Sequence, residues 1–317
     1  PRPHRGRARP MILQALIDGV LSGAIIALGA IGVTFSLSIL RFANFSHGDL
    51  LGVGAYGALA VVLLGGAGAA TEALGGPIGP LSFGWLLVAG LAVGVLVAVG
   101  IALLLERLVY RPLRQRAADP LTLVFASFGL ALLLRSLILL LFGPDPHQYS
   151  NEIQMAMRLP GPVLVMPDQI LVFAVTLVVL AGLWLFLQRS RHGIAMRCVA
   201  ENPALAGVTG IDTAATVRMT WIVSAALAAL AGVLYGVTVQ VRPEMGISLL
   251  LPLFTAAILG GVGSVPGAVL AAFVISLAEN LMSLVMPGAY KPLVPFVLLI
   301  GVLYLRPQGL FPVAGQK

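Results

Sequence analysis

Long apolar runs without a charged side chain dominate this sequence. No acidic or basic residue occurs within 19–40, 50–71, 73–105, 169–188, 219–241 or 245–278. Each run is close to or longer than the roughly 20 residues that one membrane-spanning helix needs. Inside lipid every backbone polar group has to be satisfied within its own segment, so these runs favour helices over open strands.

The pattern predicts nine spanning helices, and eight to ten are compatible with it. Gly and Pro interrupt the seventh and eighth so often that the two can form one bent or re-entrant unit. The predicted spans are 11–34, 46–65, 82–105, 120–141, 169–188, 214–240, 249–262, 266–285 and 291–306. The predicted fold class is all-α: a polytopic transmembrane helix bundle with broken or re-entrant segments, in a single domain from residue 11 to residue 317.

The composition supports a protein embedded in a lipid bilayer and excludes nucleic acid as a partner. Hydrophobic residues make up 59% of the chain and charged residues 10%, whereas a soluble domain carries about 25% charged residues. The net charge is +7, but the basic residues cluster at the ends of apolar runs rather than on one face of a soluble domain. Because Cys198 is the only cysteine, an internal disulfide and a cysteine-based metal cluster are excluded, and no cofactor is expected.

Arginines at the ends of the runs predict which loops face the cytoplasm. One basic loop holds Arg107, Arg111, Arg114 and Arg116, and a second holds Arg189, Arg191 and Arg197. The connection 142–168 has one arginine and three acidic residues, so it is predicted to be external.

Counting the predicted spans backwards from these basic loops places Met11 outside. This conflicts with the basic segment 1–10, PRPHRGRARP. An additional re-entrant or broken segment before Asn44 would remove the conflict. Segment 1–10 has no apolar period and is predicted to be a disordered tail. The apolar run after Met11 continues past Leu40 without a suitable cleavage site, so it is predicted to be a retained helix rather than a signal peptide.

The sequence contains no phosphate-binding loop of the G-x-x-x-x-G-K-[ST] type, so ATP is not bound in that way. The glycines from Gly261 to Gly267 imitate a dinucleotide loop, but the last one comes one position late. They also lie in an apolar segment without the strand–helix–strand context that such a loop requires. A nucleotide site in this chain is therefore not predicted.

Polar residues crowd the junction of two apolar runs in RFANFSHGDLLGVGAYGA, residues 41–58. Polar groups at membrane depth are costly and often mark a transport pathway. The alternative is an ordinary cytoplasmic turn in which Ser46 caps the following helix. The candidate pathway residues here are Asn44, Phe45, Ser46, His47 and Gly48.

A second candidate is TAAILGGVGSVPGAVLAAF, residues 255–273, where Gly260, Gly261, Gly263 and Ser264 interrupt a charge-free stretch. A break inside a membrane helix survives only where protein or a cavity covers the freed backbone. One interpretation is a discontinuous helix beside the translocation pathway or its gate. The alternative is a tight hairpin between two short helices.

A third candidate is ENPALAGVTGID, residues 201–212, where a short cytoplasmic helix is predicted between two spans. Asn residues are good N-caps, Pro fits the first helical position, and Gly ends helices. Small side chains give such a helix a smooth surface that fits a partner's groove; the alternative is a solvated loop. The candidate docking residues are Glu201, Asn202, Pro203, Ala204, Ala206 and Gly210.

Three single residues lie in apolar segments. Arg135 either extends its side chain to the membrane surface or pairs inside the bundle, and the sequence favours the first. Glu279 and Asn280 either cap the eighth helix or line a cavity, and the sequence leaves both possibilities open.

The three candidate stretches together resemble parts of the permease subunits of branched-chain amino acid ABC transporters, of the LivH type. The matching pieces are NFSHGDLLGVGAY, ERLVYRPLR, ENPALAGVTGID, FTAAILGGVGSVPGAVLAA with AEN, and LYLRPQGLF, in this order. The resemblance implies a multi-pass, pore-forming subunit in the bacterial inner membrane and identifies 202–210 as the coupling helix that docks on an ATPase.

The resemblance also implies three kinds of partner: a second similar permease, two cytoplasmic ATP-binding subunits and an extracytoplasmic substrate-binding protein. ATP hydrolysis would then belong to partner subunits, and this chain would not be an enzyme. Importers of urea and short-chain amides have closely similar permeases, and no residue of the sequence separates these substrates. A different class of protein, a stand-alone secondary transporter or channel, is the remaining alternative; it would need intramembrane ionisable residues for ion coupling.

Overall fold

The computed structural model describes residues 5–65, 75–150, 152, 154–158, 163–306 and 309–311. The described residues form twelve α-helices. These are α1 (Arg5–Phe35), α2 (Ser46–Gly65), α3 (Trp85–Leu105), α4 (Arg111–Gln115), α5 (Pro120–Phe142), α6 (Pro167–Arg189), α7 (Arg191–Glu201), α8 (Pro203–Val208), α9 (Thr213–Thr238), α10 (Met245–Gly260), α11 (Val265–Met282) and α12 (Leu293–Leu305).

Short elements complete the described part of the chain. Two π-helical turns, Ser36–Leu40 and Glu106–Tyr110, continue α1 and α3. A 3₁₀ turn, Gly288–Tyr290, precedes α12. The two-residue strands β1 (Met157–Arg158) and β2 (Leu164–Val165) pair antiparallel in the connection between α5 and α6.

The predicted polytopic helix bundle is confirmed. In the described residues, eight helical units are long and apolar enough to cross a membrane, and α10 is a ninth, shorter apolar helix of 16 residues. Each predicted span corresponds to one of these nine. The first helix begins at Arg5 rather than at the predicted Met11. Residues 5–10 of the predicted disordered tail belong to this helix, and residues 1–4 lie outside the described residues.

Helices α1, α2 and α9 form the centre of the bundle, and small residues let them approach closely. A Cβ atom at Gly54 would overlap Ala229, and one at Gly232 would overlap the backbone of Leu51. Helix α1 is buried from Gly23 to its end at Phe35, whereas α12 exposes more than half of its residues. Outer helices such as α12 therefore present apolar surface to lipid or to another subunit.

Helix α1 packs antiparallel to α11 around Gly19 and Gly23. A Cβ at Gly19 would lie 2.9 Å from the Leu277 side chain, and one at Gly23 would lie 2.8 Å from Phe273. The residue numbers run in opposite directions along this contact, as they must in an antiparallel pair. Glycine at both positions lets the two backbones approach without displacing these side chains.

Contacts at both ends of α1 fix its direction. The Gln14 side chain donates a hydrogen bond to the Leu164 carbonyl (2.8 Å) and accepts one from the Leu164 N–H (3.0 Å). At the opposite end, Ile39 and Met196 of α7 line one cavity. Helix α1 therefore crosses the bundle once, from the side of the 143–166 connection to the side of the basic loops.

The additional segment before Asn44, which would have removed the charge conflict, is not found in the described residues. The chain turns directly from α1 into α2, with Arg41 in the left-handed region at φ 60°. Arg5, Arg7 and Arg9 therefore belong to the end of α1 that lies beside the 143–166 connection. The hydrogen bonds between Gln14 and Leu164 join this end of α1 to that connection.

Candidate functional site

The turn before α2 is a buried polar junction rather than an exposed loop. The Asn44 side-chain oxygen accepts hydrogen bonds from the Ser46 N–H (3.2 Å), the Ser46 hydroxyl (2.7 Å) and the Tyr110 hydroxyl (3.3 Å). Asn44 and Ser46 are almost completely buried. The Asn44 side chain thereby caps the start of α2 and links it to the π-helical turn that follows α3.

His47 connects three helices from a fully buried position. One ring nitrogen, Nε2, lies 3.1 Å from the Gly29 carbonyl of α1, and Nδ1 lies 3.4 Å from the Ser224 hydroxyl of α9. The Ser224 hydroxyl donates to the Gly32 carbonyl at 3.0 Å, and a Cβ at Gly32 would overlap the His47 ring. The imidazole therefore fits only because α1 carries glycine at this level.

The remaining predicted residues of this stretch pack against α10. A Cβ at Gly48 would lie 2.6 Å from the Gly246 carbonyl, and the Phe45 ring lies 5.5 Å from the Phe254 ring. In this conformation the predicted pathway residues of 44–48 thus form a closed junction between α1, α2, α9 and α10. Their role in the pathway stays a prediction.

Arg135 pairs inside the bundle, so the favoured prediction of a side chain extending to the membrane surface is wrong. Its guanidinium donates to Asp49 Oδ1 at 3.1 and 3.0 Å and to Oδ2 at 3.0 Å. Asp49 is 2% exposed. Arg135 lies two-thirds of the way along α5, where the buried carboxylate of Asp49 on α2 offers it charge-assisted hydrogen bonds.

The predicted break at 260–264 is a tight hairpin between α10 and α11. Gly261 and Gly263 adopt φ values of 99° and 90°, which favour glycine, and the Ser264 hydroxyl accepts from the Gly267 N–H at 3.2 Å to cap α11. Gly260 and Gly267 touch so closely that neither position has room for a Cβ. Of the two interpretations, the geometry is that of the hairpin, with separate helices on each side.

The hairpin lies at the basic end of the bundle, beside α7. Gly263 and Ser264 line a cavity of about 270 Å³ together with Met196 and Arg197 of α7. The C-terminal segment crosses the hairpin, because the Leu310 N–H donates to the Leu259 carbonyl at 2.8 Å. Because α7 lines the same cavity and runs into α8, the hairpin lies near the connection between α7 and α9.

Helix α8 forms where the sequence predicts it. The Asn202 side chain accepts hydrogen bonds from the N–H groups of Ala204 (3.1 Å) and Leu205 (3.0 Å), Pro203 is the first helical residue, and Gly210 adopts φ 87°. Glu201, which ends α7, is exposed, as are Asn202 and Ala204.

One predicted docking residue does not lie on the face of α8 that is available to a partner. Ala206 is 3% exposed and packs against the bundle, so it cannot belong to a docking face. Leu205 and Val208 instead are 60% and 86% exposed. Apolar side chains so exposed on a short helix outside the apolar spans are typical of a contact surface.

A basic cavity of about 580 Å³ adjoins the start of α9, close to the end of α8. Arg107, Arg111 and Arg218 line it, and Arg114 forms an ion pair with Glu106 at its edge. The first basic loop of the sequence therefore lies beside the start of α9, the helix that follows α8 in the chain.

A second cavity, of about 470 Å³, lies at the opposite end and was not predicted as a site. Five helices and the segment before α12 contribute to it, and it holds Asp18, Glu279, Asn280 and Lys291. Glu279 and Asn280 therefore line a cavity, which decides between the two possibilities left open for them. Only the charge of Glu279 within an apolar segment signalled this site in the sequence.

Comparisons with known proteins give one consistent result. The family model described as branched-chain amino acid transport system / permease component matches residues 15–303. The high-affinity branched-chain amino acid transport system permease protein BraD of Pseudomonas aeruginosa is 34% identical over 310 residues, covering 94% of this chain and 95% of the relative. The corresponding permease protein LivH of Escherichia coli is 32% identical over 307 residues, covering 94% of each.

A solved structure, PsaBC from Streptococcus pneumoniae in complex with Fab, aligns with a TM-score of 0.47 and 14% identity. The alignment covers 94% of this chain and 92% of that one. A likeness at this level carries no conclusion about fold or function.

Proposed function

This chain belongs to the family of branched-chain amino acid transport system permease components, and we propose that it forms the membrane passage of an importer for branched-chain amino acids. The observation that carries the proposal is the family match over residues 15–303, which includes all three candidate stretches. Relatives that align over nearly the whole chain bear the same permease description. The chain is thus a multi-pass membrane protein whose task is passage rather than catalysis.

Energy for import would come from two cytoplasmic ATP-binding subunits, one of which would dock on α8. The chain has no phosphate-binding loop of its own. Helix α8 offers Leu205 and Val208 as exposed apolar anchors, and arginines line a cavity at the start of α9, the next helix of the chain. Apolar anchors bordered by charge suit a protein partner with a groove and an acidic rim.

Movement of α8 would reach the helix bundle through α7 and the hairpin. The hairpin turn lies against α7, which runs directly into α8 through Asn202. The hairpin in turn ends α10, whose start packs on Gly48 at the buried junction. A second permease of the same family would complete the passage, and an extracytoplasmic binding protein would deliver the substrate.

A permease for urea or a short-chain amide is the second candidate within this class. A stand-alone secondary transporter is the candidate from another class. In the described residues, Asp49 and Arg135 are paired with each other, which leaves neither free to bind a coupling ion. The family match, rather than the charges in the bundle, favours a permease over an ion-coupled transporter.

Reconstitution into liposomes tests the proposal. The chain is assembled with the second permease, the ATPases and the binding protein that its neighbouring genes encode, and uptake of radiolabelled leucine and urea is measured. Leucine uptake that requires ATP and every partner is the expected result. Uptake by this chain alone driven by an ion gradient, or ATP-driven uptake of urea without leucine, would contradict it.

A further inference from the structure

The cavity at the end opposite the basic loops gathers charged groups that do not pair with each other. Asp18 comes from α1, Glu279 from α11, and Lys291 from the segment before α12. Lys291 lies within electrostatic range of both carboxylates. In the described part of the chain, none of these three side chains belongs to an ion pair.

Unpaired charges of both signs in an otherwise apolar bundle are costly and mark a functional site. The two carboxylates differ in how they are held. Asp18 Oδ1 accepts a hydrogen bond from the Gln14 amide at 3.0 Å, whereas no hydrogen bond to the Glu279 carboxylate occurs within the described residues. Glu279 is therefore the acidic group most available to a ligand.

Uncharged polar groups add acceptors and donors around these charges. Asn280 is fixed by donating to the Ser276 carbonyl at 2.8 Å and to the Ser22 hydroxyl at 3.3 Å. Pro252 lacks a backbone N–H, so it cannot donate to the Ser248 carbonyl one turn earlier, and both residues line the cavity. The Ser248 carbonyl thus lacks the helical N–H donor that any other residue at position 252 would supply.

Another part of the wall is apolar. It is formed by Leu21, Ile25, Ile26, Val172 and Leu249. The volume, about 470 Å³, falls within the range of about 300–1,000 Å³ that is usual for small-molecule sites. The cavity thus combines charges of both signs with an apolar wall.

We propose that this cavity binds a zwitterionic α-amino acid with an apolar side chain on its way through the permease. Glu279, with Asp18, receives the ammonium group, Lys291 receives the carboxylate, and the aliphatic side chain lies against the wall of Ile25 and Leu249. The proposal rests on the proposed function and adds to it the site and the charge pattern that select the substrate.

Charge complementarity gives this site its selectivity. A zwitterion satisfies carboxylate and ammonium groups together, whereas an uncharged urea or amide would leave them desolvated and unpaired. A site built for polar groups rejects analogues that lack them far more strongly than an apolar pocket rejects a missing methylene. A cavity of this kind therefore discriminates between the two substrate classes that the sequence leaves open.

Equilibrium binding to the permease–ATPase assembly in lipid nanodiscs, without the binding protein, tests the site. Radiolabelled leucine is the probe, and 4-methylpentanoate and leucinamide are competitors that each lack one of its two charges. We expect each competitor to bind at least about tenfold more weakly than leucine, which corresponds to about 1.4 kcal/mol. Competition by either one as strong as that of unlabelled leucine, or no leucine binding by the wild-type assembly, would overturn the proposal.

Substitutions then test which side chains of the cavity bind the charged groups of leucine. Glu279→Gln and Lys291→Met should each weaken leucine binding about tenfold or more, and Lys291→Met should reduce the preference for leucine over leucinamide. The matched control is Glu152→Gln, which removes an exposed carboxylate in the connection between α5 and α6. Binding by Glu279→Gln and Lys291→Met as strong as that by Glu152→Gln would overturn the assignment.

The same assembly, supplied with its binding protein in liposomes, separates the two levels of inference. Wild-type assembly without ATP-driven leucine uptake contradicts the proposed function itself. Normal wild-type uptake together with unaltered uptake by Glu279→Gln contradicts only the cavity. A variant is compared only after its gel-filtration profile matches the wild type; if Glu279→Gln fails this check, the competition with wild-type assembly still decides the question.

Discussion

The guanidinium group of Arg135 donates hydrogen bonds to both carboxylate oxygens of Asp49 inside the helix bundle. The pair joins α5, which otherwise exposes most of its apolar side chains, to the buried start of α2. Arg135 thereby ties an outer helix to the centre of the protein next to the polar junction of Asn44 and His47.

Removing one partner of this pair should destabilise the protein strongly. Asp49→Asn leaves the arginine without its charge partner in a buried position, and the expected loss is about 3–5 kcal/mol. The double variant Asp49→Leu with Arg135→Leu should recover much of this loss, since no charge then remains buried. Thermal unfolding in detergent measures both, with Arg242→Leu, an exposed arginine, as the control. A single variant as stable as this control would contradict the role of the pair.

Gly54 should not tolerate even a methyl group. Because a Cβ there would overlap Ala229 of α9, Gly54→Ala should cost about 1–3 kcal/mol through overpacking. Gly100→Ala is the matched control, since α3 has open space at that position and alanine favours helix by up to about 1 kcal/mol. Melting temperatures of the two variants should therefore shift in opposite directions. Equal shifts would show that α2 and α9 move apart enough to accommodate the methyl group.

Substitutions on the two faces of α8 should have different effects. Leu205→Glu and Val208→Glu place a charge on the exposed face, and transport should fall about tenfold or more while the chain keeps its melting temperature. Ala206→Trp should instead lower the melting temperature, because Ala206 packs against the bundle. Uptake and melting temperature are measured in parallel, with Met155→Glu as an exposed control far from the basic end. Normal transport by Leu205→Glu and Val208→Glu would exclude this face from docking.

Tyr149 should make the stability of the connection between α5 and α6 depend on alkaline pH. Its hydroxyl donates to the Ala55 carbonyl at 2.9 Å, and burial raises the pKa of this phenol. The pKa in the folded state thus lies above that in the unfolded chain, about 10. Its stabilising contribution is therefore complete below that pH and is lost as the pH rises further.

Tyr149→Phe should lower the free energy of unfolding by about 1 kcal/mol at neutral pH through loss of the hydrogen bond. The difference from the wild type should shrink when unfolding is measured above about pH 10, since the variant has no phenol to deprotonate there. Tyr304→Phe, at an exposed position, serves as the control. A difference that stays constant across this pH range would contradict the linkage.

The candidate stretches differ in how far the sequence specified them. Helix α8 could be predicted because Asn202, Pro203 and Gly210 act through contacts within one or two turns of the chain. The orientation of Ala206 could not be predicted, because six residues of helix are too few to show which face is buried. The 260–264 stretch allowed both a broken helix and a hairpin, since glycines break a helix equally well in either arrangement.

The sequence by itself determined the helices that cross the membrane, because the length of an apolar run and the distribution of arginines act locally on each segment. Only the tertiary structure decided the partner of Arg135 and the cavity of Asp18, Glu279 and Lys291. Residues 86 positions apart form the first, and segments from both ends of the chain form the second. The interaction of a charged side chain within an apolar helix depends on which other helix packs beside it, and that choice is made by the close contacts of glycine and alanine throughout the bundle.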